Sequence, residues 1–196
     1  MRIGLCGGSG TGKTTLAREL SKELGIPMVP EGVRELCEEW GMKGLSDLRG
    51  DDDKYRLFQI ELINRKFSFE STHDSFVADR TYLDNLAYYM YWICRKFGNE
   101  QNEAYKKLCI SNMSLYDAVF FCPLGVIPYE EDGFRTSNYL YNECMQSIIY
   151  GLVCIELPEF PFFVLNEADL GDRVATVKRE MEWLKKNPFL GRLKSS

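Results

Sequence analysis

The chain has 196 residues, enough for one well-buried core and too few for two full domains. Its 24 basic and 29 acidic residues give a formal net charge of −5, which argues against a general electrostatic grip on nucleic acid without excluding a local basic groove. No apolar run approaches bilayer length, the N-terminus reads as a strand and not as a signal peptide, and the single histidine, His73, rules out a histidine-based metal site.

Arg2-Ile3-Gly4-Leu5-Cys6 predicts a short buried strand. The residues that follow fit G-x-x-x-x-G-K-[ST], from Gly7 through Gly12 and Lys13 to Thr14, the P-loop pattern. Glycines let successive N–H groups turn inward toward phosphate oxygens. Gly8, Ser9, Gly10, Thr11, Gly12, Lys13, Thr14 and Thr15 are therefore the candidate cradle for a nucleotide. Lys13 is expected to reach the β- and γ-phosphates, and the Thr14 hydroxyl to ligate Mg²⁺. Leu16, Leu20 and Leu24 then recur at helical spacing until Gly25 and Pro27 stop the helix. Strand, loop and helix in that order are the context the motif requires. A glycine-rich turn with an incidental lysine is the weaker alternative.

A two-residue strand, Met28-Val29, precedes a helix over about 33–40. A polar stretch, 41–53, leads to a helix over 54–69. Phe76-Val77-Ala78 predicts a strand ending on Asp79. Leu83, Leu86, Ala87, Met90 and Cys94 mark an amphipathic helix. Buried strands are expected at 118–122 and 162–165, and a last helix starts near Asp169. Strands alternating with helices imply one α/β domain with a parallel sheet covered on both faces. Ligands then bind at the carboxyl ends of the strands. The seven cysteines form no C-x-x-C pair, which suits free thiols in a reducing, cytoplasmic compartment.

Those strand ends carry the remaining candidates. Val77-Ala78-Asp79 has the form of an apolar strand ending in a metal-holding carboxylate, although Asp79 could instead cap the next helix. Arg80 beside it would neutralise charge during phosphoryl transfer. Glu31 could accept a proton from an attacking hydroxyl or be a first-turn helix residue favoured by the dipole. Arg34 could bind a substrate phosphate or pair with Glu31 or Glu38. The long connection at about 123–138 reads as a lid carrying Arg135, which would close over the nucleotide or be an ordinary surface arginine. Among Trp40, Tyr55, Phe58, Tyr82, Tyr88 and Tyr89, some should stack on a substrate ring and most should be core. Asp47-Leu48-Arg49-Gly50 fits D-x-x-G, but it follows no apolar strand and reads as a polar turn.

With these residues in place, the chain resembles the P-loop nucleoside and nucleotide kinase superfamily. Asp79-Arg80-Thr81 followed by Leu86-Ala87-Tyr88 is similar to the Asp-Arg-Tyr or Asp-Arg-Ser segment of thymidylate and deoxynucleoside kinases. Pro30-Glu31-Gly32-Val33-Arg34-Glu35 and the run Glu130 to Arg135 resemble the Glu-x-x-Arg-Glu segment and Asp-Gly-x-Arg lid of the ribosylnicotinamide-kinase-like group of small ATPases. The resemblance implies a three-layer fold with a five-stranded parallel sheet in the order 2-3-1-4-5 and a lid loop. It also implies a kinase using ATP and Mg²⁺ to phosphorylate a hydroxyl of a nucleoside, nucleotide or related small molecule. Catalysis would fall to Lys13, Glu31, Asp79, Arg80 and Arg135, acceptor binding to Glu31, Arg34 and Arg80, and the metal to Thr14 and Asp79. The ribosylnicotinamide enzyme carries Asp-Thr where this chain has Asp-Arg-Thr, so the acceptor stays open. Two alternatives remain: a kinase acting on hydroxymethyl-pyrimidines in phage DNA, and a regulatory P-loop ATPase without a small-molecule acceptor.

Overall fold

The computed structural model describes residues 1–128 and 138–187. Five parallel strands lie in the order β2-β3-β1-β4-β5, with β1 at Arg2–Cys6, β2 at Met28–Val29, β3 at Phe76–Asp79, β4 at Ala118–Phe121 and β5 at Phe162–Val164. This is the expected P-loop kinase order. β1 is central and apolar on both faces, and β1, β3 and β4 carry almost only buried residues, as a sheet covered on both sides requires. The register sets Leu5 beside Asp79 and Cys6 beside Phe121, so three strands end at one edge.

Among the described residues seven α-helices cover the sheet: α1 Lys13–Leu24, α2 Val33–Glu39, α3 Asp52–Glu70, α4 Tyr82–Trp92, α5 Asn99–Asn112, α6 Tyr139–Glu156 and α7 Leu170–Lys186. One core gathers Leu16, Leu20, Val177 and Met181 of α1 and α7 against Ile3, Leu5 and Phe120. The other packs Phe58, Leu62, Leu86, Cys109 and Ile149 of α3 to α6 against Phe76, Ala78 and Val119. Each fully buried Leu or Phe there contributes about 1.5–3 kcal/mol of transfer free energy.

Local chemistry explains the helix boundaries. α1 ends at Gly25, whose φ of 63° provides the left-handed cap. α3 starts two residues before Lys54 because the Asp51 side chain accepts a hydrogen bond from the Lys54 amide. α4 is capped by Thr81, with Asp84 completing a capping box. Asp79 is therefore not its cap. The sequence reading had no α5 or α6. α5 buries only Tyr105 and Cys109 and shows little amphipathic signal, whereas α6 is largely apolar and follows the loop directly. The D-x-x-G segment begins in a 3₁₀ turn over Leu45–Leu48 and leaves it at Arg49, which is extended. The proposed lid with Arg135 falls mostly within residues 129–137, outside the described residues.

Gly7 follows the central strand at φ 133°, where a Cβ atom would overlap the carbonyl oxygen of Cys122, the residue after β4. Backbone strain and a steric clash with main chain then act together. Gly7→Ala should cost about 3 kcal/mol, read as a fall in the urea midpoint at unchanged slope.

Candidate active site

The site begins with the loop between β1 and α1. α1 has no side-chain N-cap and no acidic residue in its first turn. Its leading N–H groups are thus available to an anion and lie at the positive end of the helix dipole. Gly12 takes φ 77°, and a Cβ atom there would meet Ile127 at 2.8 Å and Arg173 at 3.1 Å. Lys13 is 3% exposed. Its Nζ bonds the Gly8 carbonyl, and the Thr11 hydroxyl at 3.0 Å.

Burial, and after it the positive charge of Arg80, pull the Lys13 pKa down to about 8. The unfolded value is about 10.4. The folded chain therefore holds fewer protons between these limits, so Lys13 adds stability as pH rises through that window. Phosphate attraction runs the other way. Nucleotide affinity should weaken by up to about tenfold per pH unit above 8, as the ammonium is lost; titrations at pH 7, 8 and 9 would measure this.

Thr14 and Asp79 meet at the next strand end. The Thr14 hydroxyl donates to Asp79 Oδ2 at 2.6 Å, and Asp79 is 4% exposed. These are two hard oxygen donors directly beside the loop. That donor set fits Mg²⁺, which takes one or two protein oxygens and completes its shell with phosphate oxygens and water. Among the described residues no cluster of three or more His, Cys, Asp or Glu side chains could hold a metal by itself.

Arg80 links the loop to the β2 edge. Its Nε bonds Glu31 Oε1, Nη1 reaches Asp84 at 3.2 Å and the Gly7 carbonyl at 3.4 Å, and Nη2 reaches Ser9 Oγ at 3.4 Å. The guanidinium also lies 5.2 Å from the centre of the Tyr88 ring, a cation–π distance. Burial opposes its charge, but Glu31, Tyr88, Asp84 and Asp79 more than offset this and raise its pKa well above the ordinary value. Asp84 is completely buried. Its Oδ1 also accepts the Gly7 amide at 3.2 Å, and its Oδ2 accepts the Thr81 amide at 2.8 Å.

Lys13, Thr14, Asp79, Glu31 and Arg80 thus converge on one sheet edge. Beside them opens a cavity of about 100 Å³ bordered by Ser9, Glu31, Gln59, Asp79, Arg80 and Tyr88. Arg34 is exposed on α2 and does not border this cavity. Of the aromatic candidates Tyr88 lines the cavity, while Phe58, Tyr82 and Tyr89 belong to the core. The sequence reading missed Gln59, whose Oε1 is buried without a hydrogen-bond partner among the described residues. It also missed Asn142, which accepts the Ser9 amide at 3.3 Å, and Arg173, which donates to the Thr11 carbonyl at 2.8 Å. All three lie inside helices and carry no local motif.

Residues 2–173 match the family model described as an AAA domain. The chain belongs to the AAA domain family. Several solved structures share the fold of this AAA domain. Deoxyadenosine kinase from M. mycoides with bound dATP is 18% identical, with 93% of this chain and 100% of that chain covered, at a TM-score of 0.65. The NadR protein in complex with NR is 20% identical at a TM-score of 0.64; 93% of this AAA domain chain aligns, spanning 50% of NadR. Shikimate kinase from Aquifex aeolicus is 16% identical, with 93% and 96% of the two chains covered and a TM-score of 0.55. No curated protein matches the AAA domain chain significantly by sequence. Among the described residues no helix is long and apolar enough to cross a membrane.

Proposed function

We propose that the chain is a single-domain, cytoplasmic, Mg²⁺- and ATP-dependent kinase that transfers the γ-phosphate to a hydroxyl of a nucleoside, nucleotide or related small molecule. The observation that carries this reading is the Glu31–Arg80 pair, set between the P-loop and a cavity. A nucleotide-hydrolysing switch needs no second cavity on the γ-phosphate side, whereas a kinase needs room there for an acceptor.

In this reading the loop amides, from Gly8 to Thr15, and Lys13 hold the donor phosphates, with Arg135 closing over them. Thr14 and Asp79 would hold Mg²⁺, which would supply positive charge to offset that of the phosphates. Arg80 moves from Glu31 toward the transferring group as charge develops there. Glu31, relieved of its partner, orients the acceptor hydroxyl and takes its proton. Arg34, outside the cavity on α2, would engage an acceptor phosphate that extends beyond it. The cavity itself offers Leu62 and Tyr88 surfaces with the Gln59 amide among them, a mixture suited to a flat heterocycle with polar edges. The similar folds include proteins solved with dATP and with NR, ligands of that chemical kind.

One observation favours the DNA-borne pyrimidine as a second reading. A groove of about 530 Å³, lined by Lys43, Arg49 and Trp92, shares Leu45 and Tyr141 with the cavity. Trp92 is 44% exposed, as a stacking platform for a flanking base would be. Incubation with labelled ATP, Mg²⁺ and an acceptor panel tests both readings. The panel should hold nucleosides, mononucleotides, ribosylnicotinamide, shikimate and hydroxymethyl-pyrimidine oligonucleotides. Label on a free small molecule supports the first reading, and salt-sensitive label on the oligonucleotide only supports the second. ADP release that no acceptor stimulates would replace both with the regulatory ATPase.

A further inference from the structure

Arg80 is the only described residue other than glycine with a positive φ, at 87°. A bulky side chain in that conformation persists only where its surroundings over-determine it. Its amide is held by the Leu5 carbonyl at 3.0 Å. Its carbonyl is held by the Lys66 ammonium at 2.7 Å, reaching across from α3. Lys66 is in turn fixed one helical turn along by Glu70 at 2.8 Å, with side-chain exposures of 9% and 0%. The Tyr116 hydroxyl donates to the same carboxylate oxygen at 2.8 Å, and the rings of Tyr82 and Tyr116 lie 5.6 and 5.9 Å from the ammonium.

A buried ion pair of this kind is a poor device for stability, because desolvation cancels most of its attraction. Its position suggests another use. The strand end must turn abruptly for a side chain from β3 to double back over the P-loop, and the left-handed residue makes that turn. The ammonium satisfies the carbonyl that the turn leaves inside the protein. We propose that Lys66 is a positioning residue that locks Arg80 in its left-handed conformation, with Glu70 and Tyr116 anchoring Lys66, so that the guanidinium reaches Ser9, Gly7 and Glu31. Its consequence for turnover rests on the phosphotransfer reading; its consequence for the Arg80 geometry does not.

Lys66→Met alone would strand the Glu70 carboxylate, so the informative variant is Lys66→Met with Glu70→Gln, which removes both charges and keeps an acceptor for Tyr116. The first measurement is the Arg80 Nε–H resonance in a ¹⁵N-labelled sample, assigned by its loss in Arg80→Lys. In the wild type an ion-paired Nε–H should stand apart from the exposed arginines. In the double variant, with folding checked by thermal melting, it should move toward them. The second measurement is kinetic. Turnover should fall by up to about a hundredfold, the loss a misplaced group can cause, with the KM for ATP and for acceptor unchanged. Glu70→Gln alone keeps the bond from Lys66 to Arg80 and should recover most of that loss.

An unmoved Arg80 resonance in the folded double variant would overturn the proposal. So would a rise in acceptor KM at constant turnover, which would make Lys66 a substrate contact. If the wild type transfers no phosphate to any acceptor, the kinase reading fails while the resonance still decides the role of Lys66.

Discussion

Lys13→Ala should reduce phosphoryl transfer at least a thousandfold while leaving the fold intact. The size follows from the role proposed for the ammonium, a positive charge placed among phosphates in a desolvated site, where such groups are worth 10³ or more in rate. Most mutations of a fully buried polar residue destabilise, but here the balance is near neutral. The ammonium is desolvated strongly enough to bring its pKa down to about 8. Losing it removes that penalty along with the bonds to Gly8 and Thr11. The melting temperature without nucleotide should therefore stay within a few degrees of wild type. With ATP present the wild type should gain stability and the variant should gain much less. Measuring both melts beside an initial-rate assay separates a chemical defect from a folding one. A variant that keeps a tenth of the wild-type rate would remove Lys13 from the phosphate site.

Glu31→Gln should lower turnover by about 10²–10⁴, the usual range for a lost general base, with the KM for ATP nearly unchanged. The structure adds a constraint on that expectation. Glu31 is paired with Arg80, so its carboxylate is engaged before any acceptor arrives. In the proposed mechanism, proton transfer would require Arg80 to leave Glu31 for the phosphates once the donor is bound. Gln keeps an oxygen that can orient the hydroxyl but cannot take its proton, so the variant isolates the proposed proton transfer. Steady-state kinetics over a range of ATP concentrations give the result directly. Unchanged turnover would dismiss Glu31 as base and leave Asp79 as the candidate, with its Thr14 bond then serving substrate and not metal.

The parts of this molecule that could be read from its sequence are those whose chemistry needs neighbours along the chain. The P-loop is contiguous, so Gly7 to Thr14 announced both the loop and the flanking strand and helix. Asp79 and Glu31 were legible because each follows a short apolar strand. The sheet edge then brought them to the loop as the alternating pattern required. Asp84, Asn142 and Arg173 were invisible for the opposite reason. Each sits within a helix, where a polar residue ordinarily faces water, and only the packing of α4, α6 and α7 turns it toward the loop. Arg80 shows the limit most clearly. Its identity could be read, but the backbone twist that aims it depends on Lys66 from a helix fourteen positions earlier. α6 escaped notice because an apolar helix lacks the polar stripe that marks a surface one.

The single carboxylate of Asp84 ties together three pieces of the proposed site: the first amide of the loop, the guanidinium of Arg80 and the opening turn of α4. A shared anchor of this kind makes their relative placement a property of the folded chain. The entropy of bringing them into alignment is lost during folding and not again each time a reactant arrives. Binding free energy is then left for holding the reactants themselves. The same arrangement makes the site brittle, since a change at this one aspartate would disturb the cradle, the cation above it and the helix behind it in a single step.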